Sequence, residues 1–376
     1  MKNTFSRDGK YKNYWKYLWL IIYCLFFFAP KCAYAGGISA LSVLYTSHML
    51  IGNAIIGIFE GLIIARLFGV RLRRSISIMI LANYISMIAG AIGIQPLKNT
   101  INNHASINNF FPIIIIMLIL SYLTTMSIQW FFCFWILKGK EGRGCISLKA
   151  SIIVNIISYA IFIPFYFSAS DISAISNMKI EKSPYFLKTN NAWIYFISLK
   201  DGALYKIKAN GSDKQRIKDT GSTNQDVELF TCNKDEKTIL NAQWRKINDD
   251  GVEIESKILL KDLPGLTAVS GACDASRKWW YRNEPAIYFG SKSMRDWDVF
   301  AGDWVMRGFR AENKKTGKRF WFNLDAPFLR WSITTATVLP EDQVVCQMGN
   351  QIILIDLETR RLGLIAFGKS PIVVLE

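Results

Sequence analysis

The chain has 376 residues, of which 51% are hydrophobic, and its 45 Lys and Arg against 29 Asp and Glu give a net charge of +16. The excess is uneven: residues 1–170 hold 15 basic residues and three acids (Asp8, Glu60 and Glu141), while the remainder holds 30 basic and 26 acidic residues. A basic excess that flanks apolar runs reports membrane topology, so nucleic acid is not an expected partner.

The first apolar run, Trp15 to Pro30, follows Lys2, Arg7, Lys10, Lys12 and Lys16 and precedes Ala33-Tyr34-Ala35. A basic start, a short apolar core and small residues before a cleavage point describe a signal peptide over residues 1–35, with an uncleaved anchor helix as the other reading. Four longer runs follow, at about 45–68, 75–95, 111–137 and 148–169. Each is long enough to cross a bilayer, and lipid offers no partner to free backbone groups, so each is expected to be a helix. Arg66, Arg71, Arg73 and Arg74 cluster in one connection, Lys138, Lys140, Arg143 and Lys149 in another, and the connection from Lys98 to Asn109 has one Lys. The positive-inside rule then places the basic connections in the cytoplasm, and residues 171–376 outside it, on a multi-pass protein of the cell (inner or plasma) membrane. Trp15, Trp19, Trp130 and Trp135 fall near cytoplasmic span ends, where interfacial aromatics concentrate.

Each of the four spans carries a polar side chain at one depth. Glu60, the only acid in any span, stands about eight residues, roughly 12 Å, before the cytoplasmic end. Asn83, Gln129 and Asn155 stand seven or eight residues from the same side in the next three spans. One reading is an intramembrane site for a proton, a cation or a polar head group, with Glu60 as its ionisable member. The other is an interhelical hydrogen-bond layer that fastens the bundle, with Glu60 protonated or paired with Arg66. His48 and His104, the only histidines, read as interface residues, and His48 lies about 18 Å from Glu60 along the helix, too far to share a metal. Gly57 and Gly61 in one span, and Ala89, Gly90 and Gly93 in the next, have the spacing that lets helix backbones approach closely. Of the seven cysteines (24, 32, 133, 145, 232, 273 and 346) none forms a CxxC pair, and no Cys/His cluster has zinc spacing. No cofactor or metal is expected.

Beyond about residue 170 the pattern changes to short alternating runs bounded by turn residues. Trp193 to Ser198 reads as a strand, Asp201-Gly202 as a turn, Leu204 to Ile207 as a strand and Asn210-Gly211-Ser212 as a turn, with a short third strand from Lys214 to Ile217. Val344 to Gln347, Gly349-Asn350, Ile352 to Ile355 and Leu362 to Ala366 repeat that cadence. Between them, Lys237 to Ile247 with Val252 to Leu260, and Trp297 to Leu324, provide further strands. The two terminal stretches, about 35 residues each, resemble blades of WD40-like and TolB-type β-propellers. That resemblance implies a small propeller of four or five blades, at about 40–45 residues per blade. A β-sandwich is the alternative. The expected architecture is therefore a four-helix membrane bundle, with a signal peptide or fifth helix, over residues 36–170, followed by an all-β extracytoplasmic domain over residues 171–376.

Residues 171–376 contain no His, which rules out Ser/His/Asp triads, Cys/His dyads and His-based zinc sites there. No phosphate-cradling Gly-rich loop, GxSxG or HExxH motif occurs. Asp296, Asp298 and Asp303 are grouped without EF-hand spacing and read as solvated. Trp279, Trp280, Trp297 and Trp304 crowd one stretch and read either as strand core or as an exposed binding platform. The leading expectation is non-enzymatic: a membrane protein displaying a β-domain to bind a protein or surface component, with the bilayer and a protein partner or second copy as its contacts. The alternative is a small transporter, or a subunit of a transporter or complex, with Glu60 in its polar site. An enzyme acting on lipid through Glu60 or His48 is a third and weaker expectation.

Overall fold

The computed structural model describes residues 51–169, 178–188, 192–220, 227–234, 237–248, 251–261, 263, 286–289, 296–301, 308–322, 324–326, 329–331 and 333–375. The expected signal peptide or anchor helix (residues 1–35), His48, Trp279, Trp280 and Trp304 lie outside these residues. Two compact units divide the described chain, one chiefly of residues 51–101 and 111–169, the other of residues 102–110 and the β-rich remainder.

The first unit is helical: α1 (Asn53–Phe68), α2 (Leu72–His104), α3 (Phe110–Ile136) and α4 (Arg143–Ala169). Within α2, α3 and α4, the stretches Leu72–Gly93, Phe110–Ile136 and Arg143–Pro164 are each long and apolar enough to cross a membrane. The helices are inside out relative to a water-soluble bundle. Ile85, Ile88, Ile115, Ile116, Ile119, Leu123, Phe131 and Ile156 face outward, while Asn53, Glu60, Asn83, Gln129, Ser151, Asn155 and Ser158 are buried. That arrangement suits a lipid surround, where apolar contact outside costs nothing and polar groups must find partners within.

Local chemistry ends these helices. Gly69 takes a left-handed conformation (φ 63°) as the C-cap of α1, with Arg66 in the last turn. The final carbonyls of α3 are capped by arginines: Arg74 Nη2 donates to Trp135 O at 2.6 Å, and Arg143 Nε donates to Phe134 O at 2.5 Å. Part of the basic clustering thus closes helix ends. α2 continues through Pro96 to His104, so the expected outer loop shortens to residues 105–109.

The second unit is mostly antiparallel β, and its main feature is a nine-stranded sheet that curls into a half-barrel. Its order is β4-β3-β2-β17-β16-β15-β14-β8, from β2 (Ala192–Ser198), β3 (Leu204–Lys208), β4 (Gln215–Lys218), β8 (Ala286–Phe289), β14 (Ile333–Leu339), β15 (Gln343–Met348), β16 (Gln351–Asp356) and β17 (Arg361–Leu375). β1 (Lys179–Glu181) pairs in parallel with the start of β17. Three smaller sheets join β5 (Glu228–Lys234), β6 (Lys237–Asn248) and β7 (Gly251–Lys261); β9 (Trp297–Ala301), β10 (Phe309–Asn313) and β11 (Arg319–Phe322); and β12 (Leu324–Ala326) and β13 (Leu329–Trp331).

β17 organises this unit. Residues Arg361–Phe367 pair with β16, and Gly368–Leu375 pair with β2. The register shifts between Lys369 and Ile372, where Ser370 has φ 52° and Pro371 removes a donor. Propeller blades are separate sheets; here one strand runs through two meanders and makes them one sheet. The neighbouring β2 is buried on both faces. Ile194 and Phe196 join a core with Val345, Ile352, Leu354 and Val373, while Tyr195 and Ile197 join another with Leu229, Leu240, Ala242 and Val374. Burial on both faces explains why Trp193 to Ser198 is almost continuously apolar. Gly368 permits this closeness, since an added Cβ would collide with the Phe196 ring.

Residues 102–110 belong to the same unit. The Ile107 N–H donates to Gln351 Oε1 at 2.8 Å, and the Phe110 ring meets Trp331 edge-on at 6.5 Å. A second buried polar group ties the segment before β2 to β15 and β16. Gln343 Nε2 donates to Phe186 O at 3.0 Å, its Oε1 accepts the Lys188 N–H at 3.1 Å, and buried Asp356 accepts from Thr359 N at 2.9 Å and pairs with Lys188 Nζ at 3.3 Å.

Candidate functional site: a buried carboxylate in the helical unit

The approach of α1 to α2 sets up the site. An added Cβ at Gly57 would lie 2.5 Å from Ile80 Cα, and one at Gly61 would lie 2.6 Å from Ile76 Cα, so the two backbones touch along this face. Ser75 Oγ uses the closeness to donate to Gly61 O at 2.8 Å. The similar-looking Gly90 and Gly93 have nothing within 4 Å among the described residues, so no described element packs closely on them.

One residue from Gly61, Glu60 is 1% exposed, and the structure brings it together with Asn83, Gln129 and Asn155. Asn83 Nδ2 donates to Glu60 Oε2 at 2.7 Å, and Gln129 Nε2 donates to the same oxygen at 3.0 Å and to Asn83 Oδ1 at 3.1 Å. Asn155 Nδ2 donates to Gln129 Oε1 at 2.7 Å. Ser158 Oγ, from α4, donates to Glu60 Oε1 at 2.7 Å. All four helices therefore contribute to one network centred on a carboxylate. Ser158 is the member that sequence reasoning missed. It lies three residues after Asn155, on the same face of α4, which is the signal that could have found it.

The expected Glu60–Arg66 pair is not made. Among the described residues the partners of Glu60 are Asn83, Gln129 and Ser158, all neutral, and the Arg66 side chain is exposed. At about 100° per residue, six residues rotate the helix by about 600°, which leaves Arg66 roughly 120° around from Glu60 and off the buried face. Of the network's polar atoms, Asn155 Oδ1 is buried without a hydrogen-bond partner.

Around the network, the α1–α2 face is extended by Asn53 Nδ2, 3.0 Å from Met87 Sδ, and the α3–α4 face by Ser151 Oγ, which donates to Met126 O at 2.8 Å. Tyr159 OH lies 3.2 Å from Ser121 Oγ and 3.4 Å from Thr125 Oγ1. No group of three or more His, Cys, Asp or Glu able to hold a metal occurs among the described residues.

In the β unit, Trp297 does not serve as an exposed platform. It is 4% exposed, its N–H donates to Asp342 Oδ1 at 3.2 Å, and its indole Nε1 donates to Glu358 Oε2 at 3.0 Å. β9 alternates, and Trp297 and Val299 both fall on its inward face. Asp296 and Asp298 make ion pairs with Lys315 (2.8 Å) and Lys314 (2.7 Å) across the β10–β11 turn, as solvated acids do. Cys346 is free and buried, and burial raises its thiol well above the ordinary range, so it is a core residue and not a reactive one.

No protein-family model matches the sequence, and no curated protein matches it.

Proposed function

We propose that this is a multi-pass membrane protein that holds its β unit outside the cytoplasm, where the unit binds another protein or a surface component without catalysing a reaction. The observation that carries this reading is the membership of residues 102–110 in the β unit, through Ile107 with Gln351 and Phe110 with Trp331. If α2 and α3 each cross once, the connection between them lies on the opposite side from the connections bearing Arg71, Lys138 and Lys140. The basic side is the cytoplasmic one by the positive-inside rule. The curled sheet and the smaller sheets of the β unit supply the connecting loops from which a binding surface would be built.

The test is cross-linking of intact cells with a membrane-impermeant amine reagent, followed by purification of the tagged full-length protein. Exposed Lys214, Lys218, Lys315 and Lys318 are expected to be joined to a specific protein or envelope component. Absence of cross-links at these lysines, together with stoichiometric membrane subunits in the purified material, would overturn the reading.

A second reading is supported by the buried Glu60 network: a small carrier, or a subunit of a transporter or membrane complex, with the β unit as an accessory. A four-helix layer of polar side chains is more than two helices need to associate, and intramembrane acids tend to be functional.

A further inference from the structure

We propose that Glu60 is a proton-binding site, with the exchangeable proton held between Glu60 Oε1 and Ser158 Oγ. The inference goes beyond the display function and stands whether or not the protein carries a substrate.

The argument rests on which partners can reverse. Both Glu60 oxygens are engaged: Oε2 by the amide N–H groups of Asn83 (2.7 Å) and Gln129 (3.0 Å), and Oε1 by the Ser158 hydroxyl (2.7 Å). Nothing in this set compensates a negative charge, and a charged carboxylate in a low-dielectric interior is costly without a counter-charge. A proton at Oε2 would meet two N–H donors. A proton at Oε1 would meet the Ser158 Oγ, the only one of the three contacting atoms that both donates and accepts. The step is therefore local. Oε1 takes a proton that originates as hydronium, which is left as water, to form an O–H bond; the Ser158 O–H···Oε1 bond becomes Oε1–H···Oγ, and the serine hydrogen turns to the helical carbonyl four residues back, a common serine partner. The site passes from −1 to neutral, and the Asn83 and Gln129 bonds persist throughout. Asn155 Oδ1, one turn before Ser158 on the same helix, is a buried acceptor without a hydrogen-bond partner.

The occupant is a proton and not a metal cation. The two amides present hydrogens, not oxygens, to Oε2, and a hard cation would need most of its oxygen ligands from elsewhere. Among the described residues, few titratable groups face Glu60. On α3, buried Cys133 lies within electrostatic reach of it. The α2 and α4 neighbours Asn83, Asn155 and Ser158 do not titrate, and Arg66 on α1 itself is exposed.

The experiment is a pH-difference infrared titration of the full-length protein in liposomes, over about pH 4 to 9 to span perturbed carboxyl values. The same titration on Glu60→Gln is subtracted to remove the other carboxyls. The expected result is a protonated-carboxyl C=O band that grows on acidification, is absent from Glu60→Gln, and changes its frequency and midpoint in Ser158→Ala. If Glu60→Gln fails to fold, the Ser158→Ala comparison alone reads the same bond. A Glu60 band that does not change across the range, or one that follows sodium concentration at fixed pH, would overturn the proposal.

Discussion

The helical and β units of this protein both bury an apolar core, but the helical unit also surrounds a buried polar network with an outward apolar surface. The helical unit puts Glu60, Asn83, Gln129, Asn155 and Ser158 inside and Ile115, Ile119, Leu123 and Phe131 outside; the β unit fills its interior with Ile194, Phe196, Ile352, Leu354 and Val373. In water, burying apolar surface drives assembly, so the β unit needs few polar contacts at its centre. In lipid that drive between helices is absent, and close backbone approach and hydrogen bonds take its place. The difference is visible in the glycines. Gly57 and Gly61 let α1 touch α2, whereas Gly368 makes room for the Phe196 ring beneath a strand.

The comparison is most easily broken where α1 meets α2. Replacing Gly61 with Leu puts side-chain atoms where the Ile76 backbone stands, and is expected to cost about 3 kcal/mol or to prevent folding. Gly90→Ala, where nothing lies within 4 Å, should change stability by no more than about 0.5 kcal/mol. Thermal unfolding of the detergent-solubilised variants reads both. Equal losses would mean that both glycines serve as packing faces.

In the β unit the vulnerable point is polar. Asp356→Ala removes one of the two acceptors of Gln343 Nε2, which keeps Phe186 O, and takes from the Thr359 N–H and Lys188 their partner. A loss of about 1–3 kcal/mol is expected, discounted because Lys188 can turn to water. Unfolding followed by tryptophan fluorescence would detect it. An unchanged midpoint would mean that Asp356 is not needed to hold residues 184–188 against β15.

Glu60 and Arg66 offer a sharper test. Because they do not touch, the effects of Glu60→Gln and Arg66→Gln on detergent stability should add within about 0.5 kcal/mol. A larger coupling would restore the ion pair that the sequence suggests.

The smallest effect concerns Asp342. Burial holds its carboxyl above the usual range, with Asp296 and Glu358 adding like charge, against the backbone N–H groups of Trp297 and Asp296 that favour the anion. With the folded value raised above the unfolded one, the folded state holds the proton more tightly. Its contribution is fully present below the unfolded value and is lost as pH rises through the folded value. Asp342→Asn should flatten that part of the stability–pH curve, as measured by thermal midpoints across the carboxyl range.

The polar layer was legible because an apolar span with one polar residue leaves little choice about which residue matters, and distance from a basic end gives depth. The direction in which each side chain points was not legible. Depth could not tell that Glu60 turns to Asn83 and Gln129 and not to Arg66, nor pick Ser158 from the other serines of α4. In the β unit, the turns at Gly202, Gly211 and Gly349 stood out, since each has the positive φ that glycine supplies readily. The full length of β17 was hidden because the strand pattern read from the sequence stops at Ala366, while the chain passes through Gly368 to Pro371 as a bulge and continues to Leu375. Trp297 could not be assigned to core or surface until its strand had a partner.

The central claim is that the two units face different solvents, with the β unit outside the cytoplasm. The direct measurement is labelling of intact cells with a membrane-impermeant maleimide, using Ser212→Cys in the β3–β4 turn and Lys140→Cys in the α3–α4 connection, each in a background with the seven native cysteines replaced by Ser. The account predicts that the cysteine at 212 is labelled in intact cells and that the one at 140 is labelled only after lysis. Labelling at 140 with protection at 212 would contradict it.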